Sequence, residues 1–226
     1  MPVFRLTEQL VFPDSELADD GLLAIGGDLS VARLLLAYRS GIFPWFGEDD
    51  PLLWWSPPER ALLKPGQLHL SARTRRSLRQ RPFDIRFDTA FEAVIGHCSR
   101  VPRPGQDGTW ITAEMREAYV ALHRAGHAHS VEAWREGELR GGLYGVALGG
   151  AFFGESMFSL EPEASRATLA ALDQRLVERG FTLLDGQLPH EGLMGYGFRT
   201  VARNLFLAEL EEAIRPGDRP GTSSLF

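Results

Sequence analysis

Three consecutive runs of β signal, Ala128 to Trp134, Leu139 to Ala147 and Ala151 to Phe158, constrain this chain more than any other feature. With a turn at Glu136-Gly137-Glu138, they read as an antiparallel meander. Leu169, Leu172 and Leu176 then recur at helical spacing in a segment that begins near Ser165 and ends at Gly180, and Phe181 to Leu184 reads as a buried strand. Strand, helix and strand in this order imply a right-handed crossover and at least one parallel pair.

Upstream, Ser30 can cap a short helix that carries Leu34, Leu35 and Tyr38 on one face and stops at Gly41. The aromatic turn Gly41-Ile42-Phe43-Pro44-Trp45-Phe46 follows, and Trp54-Trp55-Ser56-Pro57-Pro58 is expected to interrupt any regular element. Lys64-Pro65-Gly66 marks the expected division between a small N-terminal domain, residues 1–65, and a main domain, residues 66–214, with a mobile tail over 215–226. Within the main domain, Ser71 to Arg81 suits a short helix and holds Arg73, Arg75, Arg76, Arg79 and Arg81 with no acid among them. Phe83 to Phe87 alternates like a strand, and Phe91, Val94, Ile95 and Cys98 return to helical spacing. A Pro/Gly loop over Val101 to Gly108 precedes Thr112, a good cap for a helix bearing Met115, Ala118, Tyr119 and Leu122. A last helix runs from about Ala202 to Ile214. The predicted class is α+β: an acetyltransferase-like (GNAT-type) mixed sheet with flanking helices, preceded by a small N-terminal domain.

At 226 residues the chain can bury a sizeable core. Its 24 Lys+Arg against 30 Asp+Glu give a net charge of −6, which excludes an indiscriminate nucleic-acid coat and confines any phosphate contact to a local cluster. The single cysteine, Cys98, cannot form an internal disulfide and fits a reducing compartment. No apolar run approaches the ~20 residues of a membrane span. The start, Met1-Pro2-Val3-Phe4-Arg5, lacks a signal peptide's apolar segment, so a cytoplasmic protein with no membrane partner is expected. His127 and His129 flank Ala128 at a strand's start with no Cys pair nearby, and no metal or other cofactor is expected.

Two segments propose a site. Gly41 to Phe46 crowds aromatic rings around a proline-stiffened turn; Gly154-Glu155-Ser156-Met157-Phe158-Ser159 sets one carboxylate among small and apolar residues. The rings can stack on a planar base or pack in a core, and the carboxylate needs either a partner or a role.

In order along the chain, Asp19 to Ser30, Gly41 to Phe46, Trp54-Trp55-Ser56-Pro57, Gly108-Thr109-Trp110-Ile111-Thr112, Gly126-His127-Ala128-His129-Ser130, Gly141 to Val146, Gly154 to Ser159 and Asp185-Gly186-Gln187 resemble the leucyl/phenylalanyl-tRNA-protein transferases. The resemblance covers roughly residues 10 to 210. It implies an acetyltransferase-like domain behind a smaller N-terminal one. The implied reaction moves leucine or phenylalanine from the 3′ end of aminoacyl-tRNA to the N-terminal amine of a protein or peptide beginning with Arg or Lys, which marks that protein for degradation. A monomer is the family expectation.

The donor is an activated ester, so the chemistry asks for alignment of a neutral amine with its carbonyl and help for the departing ribose oxygen. By resemblance, Asp185 and Gln187 match a catalytic Asp-x-Gln, and as i and i+2 on a strand both would point to one face. The alternative for Asp185 is a loop cap. Glu155 matches an acidic residue beside the acceptor, where it would attract a cationic N-terminus; its alternative is an ion pair with a structural arginine such as Arg166. Trp45 and Trp110 match positions that stack on the donor's terminal adenosine, worth ~1–3 kcal/mol per base, or else they join two domains as core rings, as Trp54 and Trp55 are expected to do. Met157, Phe153, Leu143 and Leu169 are candidates for an apolar aminoacyl pocket, ordinary core being the other reading. Because one methylene separates substrates by only ~1–3 kcal/mol, selectivity should leak towards methionine. The cluster from Arg73 to Arg81 is the natural contact for acceptor-stem phosphates, against a merely solvated helix face.

After Gln187 the chain departs from the family's usual longer connection to a histidine and Ser-Leu-Gly-Ala, having Leu188-Pro189-His190 and Leu193-Met194-Gly195-Tyr196 instead; Glu163 stands where an asparagine is common. Two rivals remain: an acyl-CoA N-acetyltransferase, for which Leu160-Glu161-Pro162-Glu163-Ala164 is an unsuitable pyrophosphate loop, and a non-catalytic tRNA-binding protein.

Overall fold

The computed structural model describes residues 3–18, 20–101 and 110–215. The Pro/Gly loop over 102–108 and the expected tail from residue 216 lie outside the described residues, as do Asp19 and Thr109. In chain order the elements are β1 (Phe4–Leu6), β2 (Leu22–Gly26), α1 (Val31–Arg39), β3 (Phe43–Pro44), β4 (Leu53–Trp55), β5 (Glu59–Leu63), α2 (Ala72–Gln80), β6 (Asp84–Phe87) and α3 (Phe91–Cys98). There follow α4 (Ala113–Arg124), β7 (Ala128–Arg135), β8 (Glu138–Leu148), β9 (Ala151–Ser159), α5 (Ala164–Glu178), β10 (Leu183–Asp185), α6 (Glu191–Met194), β11 (Arg199–Ala202) and α7 (Arg203–Ile214).

The predicted meander is present: β7 pairs antiparallel with β8, and β8 with β9. α5 then carries the chain to β10, which lies parallel to β9. These strands sit in a seven-stranded mixed sheet of order β11-β5-β10-β9-β8-β7-β6. β10 begins two residues later than the expected strand, because the Phe181 amide is still held by the Leu176 carbonyl at the end of α5. A second, four-stranded sheet has the order β1-β2-β4-β3. Trp54 and Trp55, expected to interrupt regular structure, form β4, and the Trp54 indole donates to the Gly26 carbonyl at 2.9 Å. β5, on the N-terminal side of Lys64-Pro65-Gly66, bonds to β10 and β11 in the larger sheet, so residues 59–63 belong with that sheet rather than with the smaller one.

The period-two alternation of β8 divides the core. Leu143 and Ala147 face the layer containing Leu169, Leu172 and Leu176 of α5. Tyr144, Val146 and Leu148 face the opposite layer, which α1, α3, α4, α7 and the small sheet complete. No helix among the described residues is long and apolar enough to cross a membrane.

One glycine fixes the middle of the sheet. A Cβ on Gly145 would lie 2.2 Å from the Phe153 carbonyl oxygen and 2.4 Å from the Phe152 ring. Both neighbours are buried and neither can retreat without moving β9. Gly145→Ala is therefore expected to cost about 1–3 kcal/mol or more, read as a lowered midpoint in thermal unfolding.

Candidate active site

The site begins as an irregularity in β9. Val146 pairs with Phe153 and Gly145 with Gly154, but Tyr144 pairs with Ser156, so Glu155 is the extra residue of a β-bulge. The alternation changes phase there: Phe153 before the bulge and Phe158 after it share one layer, while Met157 faces the α5 layer with Leu143. The bulge thus turns a carboxylate out of the sheet's regular pattern beneath α1 and α4.

Three donors meet Glu155. The Tyr38 hydroxyl donates to Oε1 at 2.7 Å, the Tyr119 hydroxyl to Oε2 at 2.9 Å, and Gln187 Nε2 to Oε1 at 2.8 Å. The two tyrosine oxygens are themselves 2.5 Å apart. Both tyrosines are buried, and burial, reinforced by the Glu155 charge, pushes their phenols well above the usual range, so they remain protonated donors. Burial is also the largest influence on Glu155; hydrogen bonds from Tyr38, Tyr119 and Gln187 oppose it, the Asp185 charge adds to it, and the carboxyl is pushed up to about 7. Its folded value lies above its unfolded one, so its ionisation costs stability, and this cost grows as pH rises from the ordinary 4.5 through about 7.

Asp185 is fully buried, and both its carboxylate oxygens have partners. Arg60, also buried, forms an ion pair with Oδ2 and donates from Nε to Oδ1 at 3.3 Å, while the Gln187 amide donates to Oδ1 at 2.7 Å. β10 ends at Asp185, and Gln187 lies beyond it with φ of +63°, so the two do not share a strand face. Asp185 holds the backbone of Gln187, and the Gln187 side-chain amide holds Glu155.

Two cavities meet at this carboxylate. One, of about 730 Å³, is lined by Leu143, Met157, Leu169, Leu172, Leu193 and Tyr196 among others. The other, of about 220 Å³, is bounded by Phe43, Pro44, Trp45, Trp110 and Leu188 among others. Gly154, Glu155, Gly186 and His190 line both. Three of the four candidate pocket residues therefore come together. Phe153 does not: it is fully buried on the opposite layer, its ring 4.9 Å from that of Tyr38, because it precedes the bulge. Trp45 and Trp110 are half-buried and border one cavity; Trp54 is buried core.

Arg166 does not reach Glu155; it pairs with Glu163 at 3.0 Å and with the Tyr196 hydroxyl at 3.3 Å. α2 exposes Arg73, Arg75, Arg76 and Arg79, with Arg81 just past its end, 3.7 Å from Glu161. The other four have no carboxylate partner among the described residues. His129 bonds to Asp88 through Nδ1 at 2.7 Å.

Arg60, Tyr38 and Tyr119 were not legible as site residues. The tyrosines stand at ordinary core positions of their helices, and Arg60 follows a Pro-Pro-Glu segment with no periodicity around it. Only an arginine directly followed by the apolar run Ala61-Leu62-Leu63 signals a buried acidic partner elsewhere.

The family model described as leucyl/phenylalanyl-tRNA protein transferase matches residues 62–211, and the one for its N-terminal domain matches residues 27–58. A leucyl/phenylalanyl-tRNA–protein transferase from Myxococcus xanthus (strain DK1622) is 51% identical over 224 residues, covering 98% of this chain and 96% of the relative. Another from Syntrophobacter fumaroxidans (strain DSM 10017 / MPOB) is 54% identical over 215 residues, covering 95% and 92%. A solved structure, L-PGS from Bacillus licheniformis, aligns with 76% of this chain and 66% of its own at 12% identity and a TM-score of 0.42, too distant to assign the fold.

Arg60→Met is expected to leave Asp185 buried and unpaired, at a cost of about 3–5 kcal/mol. Thermal unfolding of Arg60→Met and of Arg60→Met/Asp185→Leu checks this: the second substitution should recover a large part of the loss.

Proposed function

Since the chain belongs to the leucyl/phenylalanyl-tRNA-protein transferase family and is an aminoacyltransferase, we propose that it moves leucine or phenylalanine, and weakly methionine, onto proteins beginning with Arg or Lys, marking them for degradation. It would do so in the cytoplasm as a monomer, with an acetyltransferase-like fold. The observation that carries this reading is the Glu155 carboxylate at the meeting of an apolar cavity and an aromatic one.

An ester linking an apolar amino acid to adenosine has parts that match both spaces. The leucyl or phenylalanyl side chain suits the cavity of Leu143, Met157 and Leu169, and the adenine suits Trp45 and Trp110. The scissile carbonyl would then lie near Glu155 and Gln187. An ionised Glu155 attracts the cationic acceptor and helps orient its amine, while Gln187, braced by Asp185 and Arg60, keeps the carboxylate in place. The exposed arginines of α2 supply sequence-independent phosphate contacts for the acceptor stem. An acyl-CoA donor is disfavoured because Glu161 and Glu163 precede α5, where a pyrophosphate would need unopposed amides.

The direct test offers labelled leucyl-tRNA to peptides that differ only in an N-terminal Arg or Ala, with acetyl-CoA as a control donor. Label on the Arg peptide alone is expected; acetylation instead would overturn the choice of donor. Gln187→Ala should lower transfer about tenfold or more while tRNA binding persists, whereas unchanged transfer would remove Gln187 from the machinery. Replacing Arg73, Arg75, Arg76 and Arg79 by Ala should weaken tRNA binding and flatten its salt dependence by about 0.7–0.9 in log–log slope for each phosphate that an arginine had neutralised.

A further inference from the structure

Tyr38, Tyr119 and Glu155 form a closed triangle of oxygen contacts: 2.5 Å between the phenols, 2.7 Å from Tyr38 to Oε1 and 2.9 Å from Tyr119 to Oε2. Each short contact between oxygens needs one proton to be attractive. The two phenols supply two. With Glu155 ionised, one edge of the triangle, which joins two buried phenols to the carboxylate, sets lone pair against lone pair. With Glu155 protonated, three protons serve three edges: Tyr119 donates to Tyr38, Tyr38 to Oε1, and Oε2–H to Tyr119. Gln187 still donates to Oε1, so the neutral ring leaves none of these groups unsatisfied.

The geometry points to Tyr38 and Tyr119 as positioning residues that make Glu155 the site's proton acceptor, by completing a ring of three hydrogen bonds whenever the carboxylate takes up a proton. This rests on the transfer reaction proposed above and goes beyond the attraction of a cationic acceptor. As the amine nitrogen forms its bond to the ester carbonyl carbon, Glu155 takes one proton from that nitrogen and the ring closes. As the bond from carbon to the ribose oxygen breaks, the same proton passes to that oxygen and the ring reopens. The products are the amide and a free ribose hydroxyl, and the enzyme ends as it began.

The groups facing Glu155 agree with a site poised near neutrality. Asp185 from β10 is negative but already held by Arg60 from β5. Tyr38 comes from α1, Tyr119 from α4 with the Tyr144 ring of β8 packed 5.6 Å from it, and His190 lines the same cavities. Burial pushes the carboxyl up to about 7.

The ring predicts a sign that separate donors do not. If each hydroxyl merely donated to the carboxylate, its removal would disfavour the ionised form and raise the carboxyl's pKa. In the ring, removing one hydroxyl also removes the bare edge, so protonation no longer adds a hydrogen bond. The pKa should then fall, by about one unit or tenfold in proton affinity, the scale of one hydrogen bond.

The experiment follows the Glu155 carboxyl by infrared difference spectroscopy of ¹³C-glutamate-labelled protein, Glu155→Gln identifying the band, in wild type, Tyr38→Phe and Tyr119→Phe. The pH profile of leucine transfer to the Arg peptide is recorded in parallel. Expected are a neutral-carboxyl band in the wild type that disappears as pH rises through about 7, and a lower midpoint in both Phe variants, in spectra and in transfer alike. A raised or unchanged midpoint overturns the ring. If neither Phe variant folds, the wild-type titration still decides, because a carboxyl already ionised at pH 6 is incompatible with the ring. Absence of any leucine transfer would defeat the proposed reaction instead, and leave the titration to be judged by itself.

Discussion

The buried ion pair of Arg60 and Asp185 is the interaction on which the rest of the site depends. Arg60 lies on β5 and Asp185 at the end of β10; the same guanidinium donates to the Gly41 carbonyl at 3.2 Å and lies over the rings of Phe43 and Phe206, at 4.9 and 4.3 Å. One cation therefore joins the turn after α1, the β5–β10 pair of the large sheet and α7. Removing two charges from water is costly, and it is recovered here only because nearly every polar atom of the pair has a partner. Gly41 makes room for this junction. Its φ is +70°, and a Cβ would lie 2.6 Å from Leu207 and 2.9 Å from Phe206.

From that junction support runs outward in a definite order. Asp185 holds the Gln187 backbone amide, Gln187 holds Glu155, and the two tyrosines close over the carboxylate from α1 and α4. The β-bulge supplies the one residue of β9 that has no partner in the β8 ladder, and the site uses it. Glu155 is tuned by contrast with its neighbour. Asp185 has a cation and Glu155 has only neutral donors, so burial falls on Glu155 unopposed by positive charge and pushes it up to about 7.

Much of the large sheet could be read from the chain, because meander and crossover both leave periodic marks: Leu169, Leu172 and Leu176 for α5, alternating residues for β8. The small sheet could not. Its strands are two to five residues long, and Trp54-Trp55 beside two prolines resembles a break more than a strand. Phe153 illustrates the limit within the site itself. Counting residues along β9 puts it beside Met157 on one face; the bulge at Glu155 reverses the count and sends it to the other layer. Asp185 and Gln187 depart from a shared face for a related reason, since the i, i+2 rule holds only while the strand continues.

The sequence by itself determined the family, the helix and strand order from α2 to β10, the basic face of α2 and the identity of Glu155, Gln187, Trp45 and Trp110 as residues of interest. These depend on local spacing or on motifs, and both are written along the chain. Only the tertiary structure decided which groups surround Glu155. Tyr38, Arg60 and Tyr119 lie 117, 125 and 36 residues from the partners they hold, Glu155 for the tyrosines and Asp185 for the arginine. A carboxyl's proton affinity is set by burial and by neighbours within a few ångströms, and no one-dimensional pattern specifies neighbours that distant sequence brings together.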